Sequence, residues 1–150
     1  MSKLDPSITI SEDINEDNFY LLFAAATAQS NNIIIEGNLD LVECHNPILI
    51  DNIFKNIEGL HINGLFKIHK SNITILPKTL YINDNSTSLS DTKIKKLPKI
   101  LHIGYDLYYE NVPCNIFPHD IKVGHIIVES VGRMKELRYY NPHIADRFTT

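Results

Sequence analysis

Leu60-His61-Ile62-Asn63-Gly64, Leu80-Tyr81-Ile82-Asn83-Asp84, Leu101-His102-Ile103-Gly104-Tyr105 and Ile121-Lys122-Val123-Gly124-His125 repeat one pattern: aliphatic residues at the first and third places, a free choice at the second. A second landmark follows in Ile73-Thr74-Ile75-Leu76-Pro77, Ile94-Lys95-Lys96-Leu97-Pro98 and Cys114-Asn115-Ile116-Phe117-Pro118. The landmarks recur every 20 to 21 residues. Self-similarity at that period belongs to repeat architectures, in which one unit cannot bury its own apolar side and stacked units can. The expected fold is therefore a mainly β, short β-solenoid of about five coils with parallel strands.

Working outward, Ile33-Ile34-Ile35-Glu36-Gly37-Asn38-Leu39-Asp40-Leu41 aligns with Leu60 to Ile68 at an offset of 27 residues. The excess fits an insertion around Asn46 to Asn56, whose Pro47, Ile48, Leu49, Ile50, Ile53, Phe54 and Ile57 predict a short helix on the flank. Each unit carries a second extended piece, Phe66-Lys67-Ile68, Thr87-Ser88-Leu89 and Leu107-Tyr108-Tyr109, with alternating inward and outward residues. The Pro of each Leu-Pro or Phe-Pro pair cannot donate to a sheet ladder, so it marks the return turn. Ile33, Leu60, Leu80, Leu101 and Ile121 make one inward column, and Ile35, Ile62, Ile82, Ile103 and Val123 the next. Leu39, Phe66 and Leu107, with Leu41, Ile68, Leu89 and Tyr109, make the opposite wall. Asn85-Ser86-Thr87-Ser88 puts small polar residues where neighbours have apolar ones, so that coil reads as the weak one.

Before the repeats, an acidic opening leads into Phe19, Leu22, Phe23 and Ala26 at helical spacing. A helix is expected over about Glu16 to Gln29, capped by Ser11 or Asn15 and closing the first end of the stack. After Gly124, His125 to Glu129 reads as a last strand with Val128 outward. Arg133 to Tyr140 reads as a helix ended by Asn141-Pro142, with Ile144 and Phe148 closing the far end. The chain reads as a single domain, 1–150, divided into an N-terminal helical cap (1–32), a repeat stack (33–129) and a C-terminal cap (130–150).

The units Phe66-x-Ile68-x-x-Ser71-x-Ile73-x-x-Leu76-Pro77 and Thr87-x-Leu89-x-x-Thr92-x-Ile94-x-x-Leu97-Pro98 resemble the bacterial Leu-Pro subclass of leucine-rich repeat, especially its short versions in phage and bacterial-effector proteins. The resemblance covers about residues 33–129. It implies a docking scaffold whose outward sheet face meets a partner protein. Where that family has Asn or Cys, Cys44 keeps the pattern and Ser71, Thr92 and Val112 depart from it, so a curved horseshoe and a flatter stack both fit.

The chain has 150 residues and a formal net charge of −4, which gives no electrostatic reason to expect nucleic acid or an anionic membrane as the main partner. The N-terminus lacks a basic region followed by an apolar run, and no stretch of about 18 apolar residues occurs, so a cytoplasmic, soluble protein is expected. Abundant Ile and Asn suggest an AT-rich genome of phage or bacterial type. Cys44 and Cys114 lie far apart in register, and Cys114 reads as a small core hydrophobe.

Inward positions serve packing, so outward ones are the candidates for function. On one face these are His61, Tyr81 and His102, beside Ile34 and Lys122. On the other they are Asp40, Lys67, Ser88 and Tyr108, flanked by His69, Ser90 and Glu110. Lys67, His69, Tyr108, Glu110, His61, Tyr81 and His102 are the candidate partner-binding residues. Two histidines in one column invite a metal reading, but alternate rungs lie roughly 9.5 Å apart, too far for two nitrogens to share zinc. No phosphate loop, His-Glu-x-x-His, paired Cys ligands or nucleophile elbow is present, so no catalytic residue, metal or cofactor is assigned. The preferred reading is a non-enzymatic protein-protein interaction module, an inhibitor or effector from a phage or pathogen that blocks a host complex such as a defence system. A homodimer through edge pairing is a further expectation. The alternatives are a metal-dependent enzyme using His61, His102, His69 or His119, and nucleic-acid binding through Arg133, Lys135, Arg138 and Arg147.

Overall fold

The computed structural model describes residues 6–150. Two parallel sheets, of six and seven strands, and a few helices make up an α/β fold that is not a closed barrel. The first sheet has the order β1 (Ile8–Ile10), β3 (Asn32–Ile35), β5 (Gly59–Ile62), β7 (Thr79–Ile82), β9 (Ile100–Ile103), β11 (Asp120–Lys122). The second runs β2 (Ile14–Asn15), β4 (Leu39–Asp40), β6 (Phe66–Lys67), β8 (Thr87–Ser88), β10 (Leu107–Tyr108), β12 (Ile126–Ile127), β13 (Phe148–Thr149). From β1 to β12 the chain visits the sheets alternately, one strand in each per circuit.

Period-two alternation decides what faces what. Cα partners across the first sheet are Ile33, Leu60, Leu80, Leu101 and Ile121, then Ile35, Ile62, Ile82 and Ile103. Leu39, Phe66, Leu107, Ile126 and Phe148 line the facing wall, and together these columns form one hydrophobic core. Ile121 and Val123 are only half-buried, because β11 ends its sheet. At roughly 1.5–3 kcal/mol for each fully buried aliphatic side chain, no single circuit stands alone and the stack does.

The circuit through β8 keeps its place by hydrogen bonding. Thr87, buried among aliphatics, donates its hydroxyl to the Phe66 carbonyl at 2.6 Å, and Ser86 Oγ accepts from the Asp106 N–H at 3.0 Å. Ser71 and Thr92, at the positions that depart from Asn or Cys, turn inward and donate to the carbonyls of Ile68 and Leu89. The residue before each of them, and before Cys44 and Val112, is left-handed: Glu43, Lys70, Asp91 and Asn111 all have φ between 53° and 57°.

Three features depart from the expectations above. First, the sheets begin before Ile33: β1 pairs with β3 at an offset of 25 residues and β2 pairs with β4. Second, helix α1 (Glu16–Thr27) is capped by Asn15 as expected but does not close an end. It connects β2 to β3 on the return side, where its Phe19 and Phe23 rings pack on Phe54 of α2 (Pro47–Phe54). Helices thus fill the return in the first two circuits, and Leu-Pro or Phe-Pro segments fill it in the next three. Glu16 joins the helices: burial opposes its ionisation, but the N–H groups of His45 (2.6 Å) and Asn46 (2.8 Å) and the His45 ring hold the carboxyl below the ordinary value. Third, Val128 is buried, and Ile127 is the outward residue level with Tyr108.

At the C-terminal end, α3 (Val131–Tyr140) and a 3-10 helix (Pro142–Arg147) bring β13 alongside β12. Asn141 pins them: fully buried, it donates to the carbonyls of Asn115 (2.7 Å) and Leu137 (2.8 Å) and accepts from Phe117 N–H (2.7 Å). Ile144 and Phe148 bury against this end as their spacing suggests. No helix among the described residues is long and apolar enough to cross a membrane.

Candidate binding surface

The outward column of the first sheet runs Thr9, Ile34, His61, Tyr81, His102, Lys122 in strict register. Parallel strands about 4.8 Å apart place each ring over its neighbour. His61 and Tyr81 stack with centroids 4.3 Å apart, and His102 meets Tyr81 edge-on at 5.1 Å. His102 Nε2 lies 2.8 Å from Asp120 Oδ1 and donates to it, which fixes the ring's orientation. Burial holds the His61 imidazole below its ordinary pKa. The Tyr81 ring separates the two imidazoles, so they cannot share one ion. No cluster of three His, Cys, Asp or Glu side chains able to hold a metal occurs among the described residues.

The second sheet's outward column reads Asn15, Asp40, Lys67, Ser88, Tyr108, Ile127, Thr149. Its middle member is small, and that shapes the surface. Ser88 stands between Lys67 and Tyr108, leaving a shallow groove of about 200 Å³ with Leu65, Lys67 and His69 on one wall and Tyr108 on the other. Tyr108 is 46% exposed. His69 lines the groove, and its Nδ1 is buried behind that surface without a hydrogen-bond partner among the described residues. Three of the four residues expected on this face, Lys67, His69 and Tyr108, are brought together. Glu110 is turned to internal work: its carboxylate accepts from the Glu129 N–H, and its own N–H donates to Ser90 Oγ at 2.9 Å.

Sequence reasoning passed over two contributors. Leu65 sits in the turn before β6, which the strand alternation leaves out, and Asp120 reaches His102 from the rung above, which one-column reading misses. Their signals were an exposed leucine beside Gly64 and a carboxylate one residue before the Ile121-Lys122-Val123 phrase.

The other sequence candidates are dispersed. Of the C-terminal basic residues, Arg133 donates to the carbonyls of Val112 (2.8 Å) and Cys114, and Arg138 to that of Phe148 (2.8 Å). His119 lies against His143, centroids 4.5 Å apart, and His143 Nε2 is 3.0 Å from the Pro118 carbonyl oxygen. Both thiols are free: Cys114 is buried, and burial raises the pKa of half-buried Cys44. No protein-family model, curated protein or solved structure matches the chain.

Proposed function

We propose that this chain is a leucine-rich-repeat-like β-solenoid working as a non-enzymatic protein-binding module, with the Lys67–His69–Tyr108 groove of the second sheet as its docking surface. The groove supports this reading more than any other observation. A small residue between a phenol and a basic wall makes a recess into which a partner side chain fits, and Tyr offers large contact area at low entropic loss. The partner lays a carboxylate or carbonyl against Lys67. The stacked His61–Tyr81–His102 strip, already ordered before binding, serves as a second contact face. In the setting suggested by composition, the protein is an inhibitor or effector of phage or pathogen origin that blocks a host protein complex, such as a defence system, in the host cytoplasm.

The test is affinity capture from the native host by the wild-type chain and two variants whose folding is checked by circular dichroism. Tyr108→Ala removes the anchor and Ser88→Tyr fills the recess. A defined partner retained by wild type and lost by both variants is the expected result. Equal capture by all three, or none by wild type, overturns the assignment.

A further inference from the structure

The two sheets differ by one strand. Every circuit up to β11 and β12 supplies a strand to each sheet, but β13 adds a seventh level to the second sheet only. The matching level of the first sheet, above β11, has no strand among the described residues. It is a groove of about 520 Å³, bounded on one side by His119, Ile121, Lys122 and Val123 and on the other by His143, Ile144, Asp146 and Arg147. Its size falls within the range of built ligand clefts. The inward aliphatics at its floor, Ile121 and Val123, remain half-exposed where the same columns are closed in earlier circuits. The outer edge of β11 also presents backbone N–H and C=O groups with no strand among the described residues to pair them.

We propose that this position takes a single extended peptide strand from a partner protein, apolar at alternate residues and acidic between them. A strand laid on β11 continues both inward columns over Ile121 and Val123, and sets its intervening residues beside Lys122, which is exposed. Arg147 adds a second cation to the rim, against which stands Asp146; the nearby Asp120 carboxylate is already engaged by His102. The N-terminal end of a second copy does not fit: it brings up β1 and β2 together, and β13 already fills the second sheet at that level. The open position therefore admits one strand and refuses a whole circuit. Main-chain pairing gives such a complex its affinity and alternate side-chain pockets its specificity. The site is apart from the Tyr108 groove, and either surface can be lost without the other.

The probe is a fluorescein-labelled Glu-Ile-Glu-Val-Glu peptide, read by anisotropy and by hydrogen exchange at the β11 amides. Saturable binding below about 1 mM with slowed exchange is expected. A strand uses alternate N–H groups toward one neighbour, so the isomer N-methylated on Ile and Val and the isomer N-methylated on the Glu residues must differ, one binding like the parent and the other at least about tenfold more weakly. Lys122→Glu with Arg147→Glu weakens the parent peptide by a similar factor and restores binding when the peptide's Glu residues become Lys. No saturable binding, equal binding of both N-methylated isomers, or a dimer that protects the β11 amides without peptide overturns the proposal.

Discussion

His61 shows how a single side chain couples this surface to pH. Its imidazole is partly withdrawn from water beside Tyr81, and that burial disfavours the cation, so the folded-state pKa lies below the ordinary 6.5. The unfolded chain then binds more protons than the native one between the two values. Stability from this residue is complete above about pH 6.5 and falls as the pH drops toward the native pKa, with no further loss below it. His61→Phe keeps a ring over Tyr81 and removes the titration. Thermal melts at pH 7.5 and 5.5 should therefore show a larger drop for the wild type than for the variant, and a proton-NMR titration should place the His61 midpoint below that of a free histidine. An equal drop in both proteins would show that the ring is not desolvated in solution.

Among the elements, the loop that leaves the second sheet is the most regular part of the chain and the least visible in its residue types. Glu43, Lys70, Asp91 and Asn111 share one left-handed conformation although only Asp91 and Asn111 are residue types that favour it. For an ordinary side chain that conformation costs about 1–2 kcal/mol, whereas Asn and Asp tolerate it better. Lys70→Asn should accordingly raise stability by about 0.5–1 kcal/mol in urea denaturation, and Lys70→Val should lower it by at least as much. What was legible in the sequence followed from repetition: the columns through Ile62, Ile82 and Ile103 could be aligned because three or more copies spoke together, and α3 could be placed because Asn141-Pro142 ends it. β1 and β2 escaped because Ile8, Ile10 and Ile14 are scattered through an acidic stretch with neither the Gly nor the Leu-Pro landmark, and α1 interrupts their spacing. The position of α1 escaped for another reason. An amphipathic pattern says that one stripe is covered, and not by what; only Phe54, on an inserted segment of its own, completes the aromatic cluster. The groove was half-legible: Ser88 stood out as a weakness in packing, and its outward neighbours turn the same small size into a recess.

Over the whole molecule, one contiguous interior shared by six circuits and both terminal segments predicts a single cooperative unfolding transition. The far end depends on Phe148, fully buried and edge-on to Phe117 with centroids 5.3 Å apart. Deleting residues 148–150 removes β13, leaves the outer edge of β12 bare and brings the two sheets level at that end. The truncated chain should be less stable and should associate with rising concentration in sedimentation velocity, since level, unpaired edges template pairing with further copies. Phe148→Ala, which keeps the strand and loses the ring, should cost about 3–5 kcal/mol without associating more than the wild type. Association in both variants would trace the effect to instability and not to the missing strand.

The rung-to-rung offset of 21 residues between β7 and β9 carries a genetic consequence. Because each circuit meets the one before and the one after through the same main-chain ladder, an in-frame duplication of a single circuit hands every new residue a ready-made neighbour above and below. Gain of a whole unit in this way resizes the displayed surface while the interior stays as it was.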